Sequence, residues 1–371
     1  MKSLILISFV SFIFVGCTYE TDKKIPHTPS PILNEFVESS SIQHLDLDNS
    51  PIKHVQLNNN NIIYSTYDET INQTSKISRI WGFVYFNERF YIYDNINSSV
   101  FQILKNGNIE GPLTSKGKGP GEHLLVTSLR SNNKYIYLPD WNNARINIYN
   151  ENMVLEREIG NFKGVYKTKY IDLNDQIMLF SNPKKAGFIS EAPDEGLITV
   201  SHINDPVDTI TTILPQIIPD GYQPQVYNTP NFSINRKNEI AASYAPLPWI
   251  FLFDDTFDLK LTLVLSYSGF EEMNIPAMDF FKPIGNEGYG GAMPIRQFKL
   301  MDNGDLFISV RKELIRLSLD SNGSYQTVGR YQFYVLNEES PIWISDLFLS
   351  ETTGEFFAGN WDYLFHFDLP E

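Results

Sequence analysis

One cysteine, Cys17, occurs in 371 residues, which excludes an intrachain disulfide and any cysteine metal cluster. Histidine is nearly as scarce. The six, His27, His44, His54, His123, His202 and His366, show no metal-ligand spacing with one another, and no Gly-x-Ser-x-Gly elbow appears, so neither a zinc centre nor a serine triad has a signature here. Basic residues are in deficit, 29 against 44 acids, for a formal charge of −15. Such a surface repels phosphate and argues against nucleic acid as a partner. Long apolar runs are limited to residues 4–15, and about 12 residues are too few to cross a bilayer, which takes roughly 20. Amphipathic helices are also lacking: the best window, Phe270 to Phe281, is short and interrupted at Pro276, with Pro283 just beyond.

The N-terminus is informative. Lys2, the apolar run and small Gly16 have the layout of an export signal peptide, and Phe14-Val15-Gly16-Cys17 resembles the bacterial lipoprotein signal, matching it at Gly16 and Cys17 while Phe14 and Val15 are bulkier than usual. The resemblance implies cleavage of residues 1–16 and lipidation of Cys17, with several acyl chains together giving a stable anchor. Loss of Lys2 would take the formal charge to about −16. Residues 17–42, polar and holding Pro26, Pro29 and Pro31, read as a lipidated tether, and residues 43–371 as the folded domain.

That domain is rich in aromatics, with 20 Tyr, 26 Phe and 5 Trp, side chains that suit a pleated, half-buried surface. Period-two alternation recurs in a unit of strand, polar turn, aromatic strand, Asp/Asn-rich turn and third strand. The clearest copies run Gly82 to Asn95 followed by Val100 to Ile103, and Asn132 to Asn143 followed by Arg145 to Tyr149. Weaker ones are Tyr170–Phe180 with Leu197–His202, Phe232–Tyr244 with Trp249–Phe253, Phe298–Ser309 with Leu314–Leu319, and Ile344–Ala358 with Tyr363–Phe367. These copies predict an all-β, six-bladed β-propeller, with seven blades as the alternative. The alternating stretch from Ile42 to Tyr67 is expected to add an outer strand to the last blade and close the ring.

Lys116-Gly117-Lys118-Gly119-Pro120-Gly121-Glu122, then Tyr135 to Asp140 and Asn143-Ala144-Arg145-Ile146, resemble the Gly-x-Gly-Pro-Gly-Glu motif and the Asp-x-x-Asn-x-Arg blade of NHL-like six-bladed propellers, especially lipoproteins of the Bacteroidota. The match covers roughly residues 77–155. It implies a fold, a cell-envelope location and a general expectation of ligand or partner binding; many members have no assigned activity, and a shared ring does not transfer chemistry. The glycine-rich loop itself reads as a tight connector between blades, since no Gly-Lys-(Ser/Thr) follows it and no helix starts there. A second glycine cluster, Gly285 to Gly291, reads as a loop long enough to cover a channel mouth.

Propellers bind ligands at the mouth of the central channel. In this register Trp141, Trp249 and Trp361 lie at equivalent exposed turns, with Asn142 and Asn360 beside them, and together form a candidate platform for sugar rings or an aromatic side chain. Packing onto the neighbouring blade is the competing role for each tryptophan. Arg79 and Arg296 open first strands and could present a cationic pair to a ligand carboxylate; salt bridges to blade-end aspartates are the competing role. The expectation is a monomeric, lipid-anchored outer-membrane protein that binds a glycan, peptide or envelope protein through its loop face, without catalysis and without a cofactor, calcium being the ion left open. The alternative is a metal-dependent propeller hydrolase or lyase with calcium or zinc in the channel.

Overall fold

The computed structural model of the protein describes residues 31–67, 77–104, 108–160, 171–181, 196–206, 208–217, 228–245, 247–272, 294–335, 338–349 and 355–368. The lipoprotein signal, Cys17, most of the expected tether and the Gly285–Gly291 loop lie outside these residues.

The chain enters through helix α1 (Pro31–Glu38) and strands β1 (Ser41–Asp46), β2 (Ile52–Leu57) and β3 (Ile62–Ser65). Blade 1 follows as β4 (Ile80–Phe86), β5 (Arg89–Asp94), β6 (Ser99–Leu104) and β7 (Ile109–Glu110). A small parallel ribbon of β8 (Ser115–Lys116) and β9 (Glu122–His123) leads to blade 2: β10 (Arg130–Ser131), β11 (Ile136–Asp140), β12 (Arg145–Tyr149) and β13 (Leu155–Gly160). Blade 3 holds β14 (Ile171–Leu173), β15 (Ile177–Ser181), β16 (Ile198–His202) and β17 (Thr209–Ile213). Blade 4 holds β18 (Pro230–Ile234), β19 (Ile240–Tyr244), β20 (Trp249–Phe253) and β21 (Leu259–Ser266), followed by the short helix α2 (Ser268–Glu272). Blade 5 is β22 (Gln297–Leu300), β23 (Leu306–Val310), β24 (Glu313–Leu319) and β25 (Tyr325–Val335); blade 6 is β26 (Asp346–Leu349), β27 (Phe356–Gly359) and β28 (Tyr363–Phe367).

These are the six units expected from the alternation, as six separate sheets. Their innermost strands meet in the cyclic order β4, β10, β14, β18, β22, β26 and back to β4, so the ring is closed. Each middle strand is apolar on both faces because each face meets a different neighbour. Phe90 and Ile92 of β5 pack toward Phe357 and Leu364 of blade 6, whereas Tyr91 and Tyr93 pack toward Ile136 and Leu138 of blade 2. The same holds around the ring: six apolar clusters fill the six seams between adjacent blades.

The N-terminal segment departs from the expectation. β3 does complete blade 6, antiparallel to β28, but β1 and β2 add parallel fifth strands to blade 4, beside β21, and to blade 5, beside β25. The segment thus runs along the outer rim and places side chains in four successive seams. Leu33 and Val37 of α1 enter the seam of blades 3 and 4, Leu45 and Leu47 the next, Leu57 the next, and Tyr64 the seam of blades 6 and 1. Leu33 and Val37 are fully buried, so packing begins at α1 and not at residue 43. Propensity and polarity suggested a tether there because only one stripe of this short helix is apolar, and that stripe is covered by the distant Phe251 and Phe253.

Candidate ligand site at the channel mouth

One face of the ring is built from the connectors that lead into each innermost strand and from the turns between second and third strands. The aspartates of the repeat fasten these two parts together. Asp94 accepts hydrogen bonds from the backbone N–H of Ser78 (2.6 Å) and Ile96 (2.9 Å) and from the Asn97 side chain (2.7 Å). Asp140 accepts from the N–H groups of Leu124 and Leu125 (3.2 and 3.1 Å) and from the Asn143 side chain (2.6 Å). The Asp-x-x-Asn repeat is therefore a clamp that fixes connectors at the mouth, and both aspartates are buried.

The glycine-rich loop is gripped in the same way. Gly119 N–H donates to Glu122 Oε2 (2.7 Å), the Arg145 guanidinium donates to the carbonyls of Gly119 and Glu122 (both 2.6 Å) and pairs with Glu158 (2.9 Å), and Tyr149 Oη donates to the Gly121 carbonyl (2.7 Å). A side chain at Gly117 would collide with the Glu122 carboxylate, and Gly121 adopts φ +71°. The N–H groups of Gly117, Gly119, Gly121 and Glu122 all donate to groups of the protein, which suits a connector and not an anion cradle. Beneath it, His123 is fully buried, with Nε2 2.9 Å from Thr114 Oγ1 and its ring edge-on to Tyr93. Burial pushes its imidazole down to about 4, with Arg145 acting in the same direction and Asp140 against it.

The mouth carries a continuous aromatic and cationic arc across blades 5, 6 and 1. Trp81, at the start of β4, lies parallel to Trp361 in the blade 6 turn, with centroids 6.5 Å apart and planes at 10°. Trp361 meets Trp343, on the connector into blade 6, edge to face at 5.0 Å. Arg79 lies over Trp361 and Arg296 over Trp343, each at 4.8 Å, a geometry in which the ring quadrupole holds the guanidinium without neutralising it. Neither arginine has a carboxylate partner among the described residues. Arg296 is exposed by surface area, yet desolvation by its surroundings holds its guanidinium below the ordinary arginine value. Trp81 and Trp361 are 37% and 40% exposed, and Tyr67 and Ile96 stand exposed on the same face.

Below the arc, the channel wall is polar. Arg130 of β10 bridges Asp172 of β14 (3.3 Å) and Asp346 of β26 (3.9 Å), and Lys299 of β22 lies 4.0 Å from Asp172. Carboxylates and hydroxyls of one innermost strand accept N–H groups of the next: Asp172 from Ile234 (3.0 Å), Ser233 from Leu300 (3.2 Å), Asp346 from Phe83 (3.4 Å). Burial pushes the Asp346 carboxyl up, against the opposing pull of Arg130. Both acids already face a cation, and among the described residues no three His, Cys, Asp or Glu side chains converge as metal ligands.

The sequence-derived site residues separate into three groups. Arg79, Arg296 and Trp361 are brought together in the arc. Asn142, exposed, and Trp141, half-buried, lie in the blade 2 turn, and Trp141 makes none of the arc's ring contacts. Trp249 is not at an exposed turn: it opens β20, is 4% exposed and packs in the seam of blades 3 and 4 against Phe251. Asn360 is buried and forms its own turn, its Oδ1 accepting from the N–H groups of Asp362 and Tyr363 (both 2.8 Å). Trp81 and Trp343 complete the arc in place of Trp141 and Trp249. Their signal was present in the sequence, as tryptophans two residues after Arg79 and at the equivalent start of the blade 6 first strand.

No family model and no curated protein matches this chain. Among solved structures, a Bacteroides fragilis protein whose name marks it as a candidate for export is 15% identical, covers 89% of this chain and 100% of its own, and superposes with a TM-score of 0.52. A Bacteroides thetaiotaomicron protein of unknown function is 10% identical over 78% of this chain and 69% of its own, with a TM-score of 0.47. Virginiamycin B lyase from Staphylococcus aureus is 12% identical over 81% and 82%, with a TM-score of 0.46. The likeness to the Bacteroides fragilis structure shows a shared fold alone, and it agrees with the propeller that the NHL-like resemblance implied.

Proposed function

We propose that this protein is a lipid-anchored β-propeller of the bacterial envelope, held at the outer membrane through Cys17, that binds a glycan, peptide or protein through the connector face of its ring without catalysing a reaction. The observation that carries the reading is the arc from Arg79 through Trp361 and Trp343 to Arg296. Partly exposed indoles flanked by arginines have the composition of binding hot spots, and here they stand on a closed ring. The anchor rests on Lys2, the apolar run and Gly16-Cys17; export accords with the name of the Bacteroides fragilis structural neighbour.

A glycan and peptide array probed with wild type, Trp81→Ala and Trp361→Ala tests the binding face. Loss of signal in both variants, with unchanged thermal unfolding, is the expected result, and equal binding by all three proteins would overturn it. Cell fractionation of Cys17→Ser tests the anchor: the variant should leave the membrane fraction, and a variant that stays membrane-bound would refute lipidation at this residue.

A further inference from the structure

We infer that the ligand of this mouth is an acidic oligosaccharide, one whose sugar rings carry carboxylates; this deepens the binding role proposed above and rests on it. Two features of the arc select the class. The guanidiniums end the run Arg79–Trp361–Trp343–Arg296, with Trp81 parallel to Trp361 beside it, so a ligand that spans it meets cation, flat apolar surface and cation in turn. A sugar offers the matching surfaces on one molecule: axial C–H faces that lie on indoles and a carboxylate in the ring plane that the fork of an arginine can take in a bidentate contact. The arginines are available for that contact because stacking on Trp361 and Trp343 orders them while no described carboxylate occupies their N–H edges. Nearby acids are engaged elsewhere: Asp362 accepts from Thr66 Oγ1 (3.2 Å) next to the outer strand, and Glu338 accepts from Tyr363 Oη (2.8 Å).

The surroundings of the arc supply the polar partners that sugar hydroxyls need. Gly82, the residue after Trp81, has no side chain between the Asp346 carboxylate and the backbone of Ser128 and Leu129. Gln297, the residue after Arg296, reaches Asp346 with its side-chain amide (3.4 Å). On the adjoining connector the hydroxyls of Thr127 and Ser128 are buried without hydrogen-bond partners among the described residues, Ser128 being 7% exposed as a whole. Unspent hydrogen-bonding groups beside an aromatic platform favour a hydroxyl-rich ligand over an extended peptide. A peptide gains most of its affinity from an open strand edge, whereas on the inner edges of β18, β22 and β4 the N–H groups of Ile234, Leu300 and Phe83 already go to side chains of the preceding innermost strand.

The test is calorimetric titration of the detergent-solubilised full-length protein with tetrasaccharides of galacturonate, glucuronate and mannuronate, with the methyl ester of the acid that binds best, and with tetraglutamate. Wild type should bind at least one acid form, weakening with added salt, and bind its neutral ester roughly tenfold or more less tightly, which corresponds to about 1.4 kcal/mol for a lost charge-assisted contact. The double variant Arg79→Gln/Arg296→Gln should lower affinity for the acid to that for the ester while leaving the ester unchanged, and Arg79→Lys should recover only part of the loss. An ester bound as tightly as its acid overturns the acidic class yet keeps the mouth as a glycan site. Tetraglutamate bound as tightly as the sugars overturns the sugar class. Absence of binding by all three acids overturns the inference, and affinity untouched by Trp361→Ala overturns the binding face with it.

Discussion

His123 should make the stability of this ring fall on mild acidification, and its replacement should remove that response. The imidazole is fully buried between Thr114 and Tyr93, and Nδ1 has no partner among the described residues; a proton added there would place a charge in the seam with one N–H left unpaired. Burial holds the group at about 4 in the folded chain, against an ordinary value of 6.5. Because the folded value is depressed, the unfolded chain binds a proton between pH 6.5 and 4 that the native ring refuses. This contribution to stability is complete above pH 6.5 and is lost as pH falls through that window. The gap corresponds to about 3 kcal/mol in full and about 2 kcal/mol already at pH 5. Urea unfolding of wild type and His123→Gln at pH 7 and pH 5 measures it. Wild type should lose about 2 kcal/mol more than the variant between the two, the response of every other group cancelling in the difference. Equal losses in the two proteins, or a His123 ring that titrates by NMR near 6.5 in the folded state, would refute the assignment.

Other outcomes follow from burial and backbone geometry. Trp249→Ala should cost about 3–5 kcal/mol in unfolding free energy and leave ligand affinity intact, whereas Trp361→Ala should change stability by no more than about 0.5 kcal/mol and abolish binding; paired denaturation and titration experiments distinguish them. Leu33→Ala should cost about 2–5 kcal/mol, visible as a lower urea midpoint, while a chain that begins at residue 58 should expose the outer edges of blades 4 and 5 and aggregate in light scattering. Gly121→Ala should cost about 1–2 kcal/mol from its left-handed φ alone, since a Cβ there meets only ordinary contacts at 3.7 Å and beyond; thermal melts read the loss.

The six blades were legible because each is local. Strands such as Arg89–Asp94 and Ile136–Asp140 pair with segments only a few residues away, so alternation and Asp/Asn turns within one window define them. β1 and β2 were not assigned correctly because nothing local chooses between the outer edge of blade 6 and those of blades 4 and 5. Ser41 pairs with Leu261, and Ile52 with Arg330. At the mouth, Arg79, Arg296 and Trp361 were visible as residue types at strand starts and turns. Trp249 was misread because a one-residue difference in where the turn gives way to β20 carries a side chain from solvent into the seam. The buried Asn360 shows the same limit, since an asparagine that builds a turn and one that serves a ligand look alike in sequence.

The rim segment also sets an order for folding. Residues 41–65 are synthesised before any blade, yet their partners come in the final third of the chain: Leu261 to Ser266, Arg330 to Val335 and Tyr363 to Phe365. Early blades can form one by one from near neighbours, but β1 must stay unpaired until blade 4 is made, β2 until blade 5 is made, and β3 until the chain is almost complete. Lacing of the rim is therefore the late, slow event, governed by contacts more than 200 residues apart. Until it happens the later blades carry bare outer strands, and the finished ring and the sticky intermediate differ by one short segment at the start of the chain.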